Sequence, residues 1–241
     1  MLRDFLTGFG LLIVYYVATG LPPILLRLLG KVPFEVTRKM YHFVLTLSIF
    51  PLLRVFSAWY LAAAAPLVLA LILYPVLALL ERSSFYARIA VERKGGEFKT
   101  SLIFAQLVIA ALILIFWGLL GAQWRYVAVV AMMVWGFGDA AAALVGKAFG
   151  RRRILHRWIE GTKTLEGTLA MFVFAGLAAF LTLLLYAGLP WTVSLIAALC
   201  VAPVSAAVEL FSHRGTDTLT VPLSAAFVIL PLMAFASLVG L

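Results

Sequence analysis

Residues 126–146 read YVAVVAMMVWGFGDAAAALVG, an apolar run broken by one charge, Asp139. As a helix this run rises about 31 Å, the thickness of a bilayer's hydrocarbon core. The rest of the chain agrees with that reading. Of its 241 residues 65% are hydrophobic and 12% charged, and the mean hydropathy is +1.11. A soluble globular chain averages about 45–50% apolar residues. One cysteine, Cys200, sits in an apolar run and excludes both a disulfide framework and a cysteine zinc site. The composition predicts an all-α, polytopic integral membrane protein.

Counting runs of about 20 apolar residues predicts eight transmembrane helices. They are Phe5–Leu26, Tyr41–Ser57, Ala58–Leu80, Ser101–Leu120, Tyr126–Gly146, Leu165–Ala187, Trp191–Leu210 and Leu219–Leu241. The second and third share one stretch interrupted by Arg54. As a single helix, 40–80 would rise about 60 Å, twice the hydrocarbon core, so it is read as two spans. Pro22-Pro23 predicts a kink or break near the end of the first span. That span lacks the basic start and small-residue cleavage site of a removable signal, and is expected to be a mature helix. The whole of 1–241 is read as a single transmembrane catalytic domain.

Basic residues predict the orientation. Sixteen of the nineteen Lys and Arg alternate strictly onto one side of the eight spans, leaving Arg3, Arg54 and Arg125 on the other. The basic loops are therefore expected in the cytosol and both termini outside it. Topogenesis and attraction to anionic membrane lipids account for the net charge of +9 without a nucleic-acid partner. No loop is long enough to form a nucleic-acid-binding domain, the longest being 148–164. The absence of a visible internal repeat weakens the case for a transporter built from repeated halves.

Only ten acids exist, so their positions carry information. Asp4, Glu35, Glu81, Glu92 and Glu97 lie in loops or at span ends and are expected to form surface ion pairs. Asp139 lies inside a span, about 10 Å below the boundary at Gly146. A carboxylate there costs several kcal/mol unless it is paired or metal-bound, so it marks function or a buried interhelical pair. Gly138, Ala142, Gly146 and Gly150 recur every fourth residue beside it. Such a stripe serves close helix packing, or gives a phosphate chain access to bare backbone. Lys147 and Arg151–Arg153 stand at its end, where a polyphosphate needs cations.

The segment Gly161-Thr162-Lys163-Thr164-Leu165-Glu166-Gly167-Thr168 opens the sixth span. A helix start presents free N–H groups to an anion. Lys163 and Glu166 share a helix face. The spacing of a capping box fails here, since Leu165 follows Thr162 by three and Gly167 follows Thr164, so capping leaves Glu166 unexplained. Arg38-Lys39-Met40-Tyr41-His42 opens the second span, and His42 is an interfacial hydrogen-bonder or a catalyst. Glu209 ends the seventh span, and Asp217 either caps the last helix or serves the site. Basic, acidic and glycine-rich groups thus collect at the cytosolic face, where a soluble anion meets a lipid headgroup. Transport instead places its charges near the midplane.

Gly138-Asp139 with the small-residue run to Gly150, then Lys163-Thr164-x-Glu166-Gly167-Thr168, resembles the CTP-dependent lipid-alcohol kinases. These are dolichol kinase, phytol kinase and the CTP-using diacylglycerol kinase, distantly related to phosphatidate cytidylyltransferase. Arg38-Lys39-x-x-His42 and Asp217-x-Leu219-x-Val221-Pro222 fit the same pattern, so four ordered blocks cover residues 38–222. The 163–168 form is closer to the dolichol and polyprenol kinases than to the phytol kinases, in a chain much shorter than the eukaryotic dolichol kinases.

The resemblance implies a kinase that moves a phosphoryl group from CTP to an isoprenoid or other lipid alcohol, with Mg²⁺ as cofactor. It implies Asp139 as first metal ligand and Glu166 or Asp217 as second, since Mg²⁺ takes one or two carboxylates beside phosphate oxygens and water. Lys163 is then the phosphate-holding cation, with Arg38, Lys39 and Lys147 as partners. Gly138, Gly146, Gly150, Thr164 and Gly167 shape the nucleotide site. The base that accepts the hydroxyl proton is His42 or one of the acids. The rival readings are a cytidylyltransferase, which attacks the α-phosphate of CTP, and a non-catalytic transporter or scaffold.

Overall fold

The apolar runs fold as helices in the computed structural model, which describes residues 1–81, 83, 86, 97–213 and 215–238. Arg82, Arg88, Glu92, Arg93, Lys94 and Arg214, and the last three residues of the expected final span, lie outside the described residues. Among the described residues the only β pairing is an isolated antiparallel bridge between Arg153 and Thr164. Seven helices among the described residues are long and apolar enough to cross a membrane: Leu2–Leu28, Trp59–Leu80, Phe98–Leu119, Ala122–Phe149, Leu165–Tyr186, Trp191–Phe211 and Asp217–Leu238. Each matches an expected span to within a few residues. The chain is an all-α polytopic membrane protein.

The remaining expected span, Tyr41–Ser57, differs. It begins earlier, as α2 (Phe34–Leu47), turns at Ser48, and resumes as α3 (Ile49–Val55). Pro51 is the physical reason. It has no N–H to give the Leu47 carbonyl, so it fits only the first turn of a new helix. The Ser48 hydroxyl donates to the Leu45 carbonyl at 2.7 Å and seals the break. Neither piece alone is long enough to cross a bilayer.

The chain divides into two compact units, 1–122 and 123–241. The first holds α1 (Leu2–Leu28), α2, α3, α4 (Trp59–Leu80) and α5 (Glu97–Ile113), which widens into a π-turn over Leu114–Leu119. The expected break at Pro22-Pro23 does not occur, and α1 runs through both prolines to Leu28. The Ala18 and Thr19 carbonyls lose their helical donors, a loss that membrane helices tolerate. Gly8 lets α1 approach Phe56, whose ring would lie 2.5 Å from a Cβ at that position. The Tyr15 hydroxyl donates to the Val44 carbonyl at 2.8 Å, and the buried Gln106 amide donates to the Tyr16 oxygen at 3.0 Å. These bonds tie α1 to α2 and α5 within the apolar interior, where an unpaired polar group is costly.

The second unit is a ring of four helices: α6 (Arg125–Phe149), α7 (Leu165–Leu181, continued by a π-turn to Tyr186), α8 (Trp191–Phe211) and α9 (Asp217–Leu238). Helix α6 packs on α7 and α9, and α8 closes the ring between them. Its residues Val127–Val134 are almost entirely buried. A helix apolar on all sides belongs in such an interior. Gly176 brings α7 close to α8, with the Ala202 methyl 3.1 Å from where a Cβ would stand. Because consecutive helices alternate in direction, the C-terminal ends of α6 and α8 and the N-terminal ends of α7 and α9 lie at one end of this unit.

Candidate active site

Eleven of the fifteen residues from Gly150 to Thr164 are polar, charged or glycine, and they close tightly between α6 and α7. The backbone pairs across the loop: Ile154 N–H donates to the Lys163 carbonyl at 3.1 Å and Leu165 N–H to the Arg152 carbonyl at 2.9 Å. Thr164 is the N-cap of α7, its hydroxyl accepting from Gly167 N–H at 3.2 Å. Glu166 then accepts from Arg152 N–H, both carboxylate oxygens lying at 3.3 Å. The structure therefore corrects one step of the sequence reading. Glu166 has a local structural task, closing the loop onto the first turn of α7. Fixed spacing along one helix could not reveal it, because its partner lies fourteen residues upstream.

The small-residue stripe serves packing. A Cβ on Gly138 would lie 2.5 Å from the Met171 sulfur, and one on Gly146 3.1 Å from the Thr164 hydroxyl. Gly167 fits against the Ala142 carbonyl, which would stand 2.9 Å from its Cβ. Gly150 ends α6 and meets the Thr164 methyl. The face that the sequence left open to a phosphate chain is thus covered by α7. Packing accounts for the glycines at 138, 146, 150 and 167. Lys147 is exposed at the end of the same helix, as are Arg151, Arg152 and Arg153 in the loop.

Lys163 makes the central polar contact. Its ammonium pairs with the Glu209 carboxylate and donates to the Glu209 backbone carbonyl at 3.0 Å. Glu209 is buried, 4% exposed, in the last turn of α8. A hydroxyl–hydroxyl bond of 2.8 Å between Ser212 and Thr220 joins α8 to α9 next to it. Asp217 is the first residue of α9 and half-buried. Asp139 lies deeper in α6, 8% exposed, eight residues and about 12 Å of helix before Lys147. The structure thus joins Lys163, Thr164, Glu166 and Gly167 through one loop, and brings to it Glu209, to which the sequence reading gave a place but no role. Its signal was available: it is an acid ending an apolar span in a chain with ten acids.

In the first unit, Arg38, Lys39 and His42 share α2. Arg38 pairs with Glu35, its Nε donating at 3.0 Å. Glu35 is 4% exposed, so the expected surface pair is in fact buried. Lys39 is also buried, and His42, half-buried, stands edge-on to Phe43 with ring centres 6.2 Å apart. Glu81 meets Lys99 at 2.7 Å, and Asp4 meets the N-terminal amine at 2.8 Å, as expected of the span-end acids. Among the described residues no three His, Cys, Asp or Glu side chains form a group able to hold a metal ion. Asp139, Glu166 and Asp217 are therefore not a ready-made cage. Mg²⁺ does not need one when phosphate oxygens and water complete its shell.

At its loop end the second unit gathers Lys147, Arg151–Arg153, Arg157 and Lys163 around Glu160, Glu166, Glu209 and Asp217. At that end the cations outnumber the acids, and the local field is positive. These features define a helical membrane protein with a basic, carboxylate-bearing face on a four-helix unit. Over 104 residues the chain is 38% identical to the phytol kinase of Synechocystis sp., and the match spans 42% of this chain and 42% of that protein. No protein-family model matches the chain. No solved structure matches it either.

Proposed function

We propose that this protein is a CTP-dependent kinase that phosphorylates a membrane isoprenoid or lipid alcohol to its monophosphate at the cytosolic face. The observation that carries the reading is Lys163, held at the membrane-boundary start of α7 in a loop rich in cations. The similarity to a phytol kinase supports an alcohol acceptor. The form of residues 163–168 supports a polyprenol or dolichol. All three are isoprenoid alcohols, whose tails lie in the bilayer and whose hydroxyls reach headgroup depth.

Phosphoryl transfer asks a protein mainly for positioning and charge neutralisation. In the proposed mechanism Lys163 neutralises the terminal phosphate of CTP, with Lys147 as a further cation. Asp139, with Glu166 or Asp217, would hold a Mg²⁺ ion, which would supply the remaining charge neutralisation. The acceptor hydroxyl loses its proton to a carboxylate of this face as its oxygen bonds to the γ-phosphorus and CDP leaves. The test is a screen of CTP and ATP against dolichol, undecaprenol, phytol, farnesol and diacylglycerol in detergent. CTP with an isoprenoid alcohol is expected to give the lipid monophosphate. No phosphorylated lipid from any pair would refute the kinase reading.

The orientation rests on the charge asymmetry of the loops. In a Cys200→Ser background, single cysteines at positions 54 and 125 are expected to react with an impermeant reagent from outside. A cysteine within 151–153 should react only from the cytosol. Cytosolic labelling at position 125 contradicts the orientation, and the result at position 54 tests whether α2 and α3 together make a crossing.

A further inference from the structure

A lysine ammonium carries three N–H donors. In this chain one residue takes two of those on Lys163: Glu209 accepts one through its carboxylate and another through its backbone carbonyl, the latter at 3.0 Å. The carbonyl also accepts from the Ser212 N–H at 3.2 Å at the end of α8, and its second lone pair takes the ammonium. The Lys163 ammonium has no other hydrogen-bond partner among the described residues. Its side chain is 19% exposed, against 6% for that of Glu209. The acid is closed off, and the ammonium keeps one open donor at the boundary where α7 begins.

We propose that Glu209 is a positioning residue for phosphoryl transfer. It clamps Lys163 so that the remaining N–H meets one oxygen of the transferring phosphate. The inference rests on the kinase reading above and adds to it a residue and a division of labour. A lysine is a point charge on a flexible stem of four carbons, with several rotamers to lose. A clamp that orders it beforehand removes that cost from the reaction, and misplacement of about 1 Å can cost a hundredfold in rate. The clamp has a second consequence. Glu209 offsets the charge of Lys163, so removing the acid strengthens attraction for the nucleotide while it loosens the geometry. Rate and affinity should therefore move apart.

The experiment compares purified wild type, Glu209→Gln, Lys163→Ala and the double variant in detergent. It measures kcat with CTP and a lipid alcohol, binding of a fluorescent CTP analogue, and the melting temperature. Glu209→Gln is expected to lose about tenfold to a hundredfold in kcat while binding the analogue at least as tightly as wild type. Because Glu209 acts through Lys163, the double variant should be no slower than Lys163→Ala alone. A merely structural role lowers the melting temperature and the yield, leaves kcat per folded molecule unchanged, and overturns the proposal. Losses that multiply in the double variant also overturn it, as does loss of nucleotide binding in Glu209→Gln. If Glu209→Gln does not fold, Glu209→Asp replaces it in the same cycle, and the same outcomes support or overturn the clamp. Wild type that transfers no phosphate overturns the kinase reading and the clamp with it. Turnover by wild type with an unaffected Glu209→Gln overturns the clamp alone.

Discussion

Asp139→Asn is expected to lower turnover by at least about a thousandfold, some 4 kcal/mol of barrier, and to leave the protein folded. Asparagine keeps the size and much of the hydrogen bonding of aspartate but not its charge. Asp139 is 8% exposed inside α6, so solvent screens a change in its charge only weakly. A buried carboxylate in a span needs a cation to offset desolvation. If Mg²⁺ provides it, activity should vanish in excess chelator and return with Mg²⁺ or Mn²⁺. The variant should melt within a few degrees of wild type. If Asp139 instead serves only to hold two helices together, the variant melts early and its residual folded fraction turns over normally. Full activity in chelator refutes the metal assignment.

Lys163→Ala is expected to cost about a hundredfold to a thousandfold in kcat, the usual scale for removing one preorganised group that faces developing charge. The affinity for CTP should change much less, because other cations still attract the triphosphate and the lost contact strengthens in the transition state. The substitution also leaves the Glu209 carboxylate buried without its ammonium, so some loss of stability is expected and kcat must be referred to folded protein. Equal losses in affinity and rate assign Lys163 to ground-state binding, against the proposed role.

Most of the fold was legible because a membrane span announces itself in about twenty consecutive residues, with no long-range information needed. The seven long helices follow from that rule alone. The break between α2 and α3 escaped it, because Pro51 acts on a hydrogen bond inside a run whose hydropathy does not change. Pro22-Pro23 did not break α1, because membrane helices tolerate the carbonyls that prolines leave without donors. For the site, local chemistry named Asp139 and Lys163, and periodicity drew out the glycine stripe. What periodicity does not contain is the element on the far side. That α7 fills the stripe, that Glu166 meets Arg152, and that Glu209 meets Lys163 across 46 residues are consequences of tertiary packing. Glu35 shows the same limit, since an acid at a span end reads as exposed until neighbouring helices bury it.

The central claim is that the terminal phosphate of CTP moves to a lipid hydroxyl, and the fate of the label tests it most directly. Membranes or purified protein are given an isoprenoid alcohol and CTP labelled at the γ- or the α-phosphorus. The expected result is γ-label in the lipid, with α-label remaining in released CDP. If α-label enters the lipid and pyrophosphate accumulates, the protein attacks the other end of the triphosphate, and it is a cytidylyltransferase rather than a kinase.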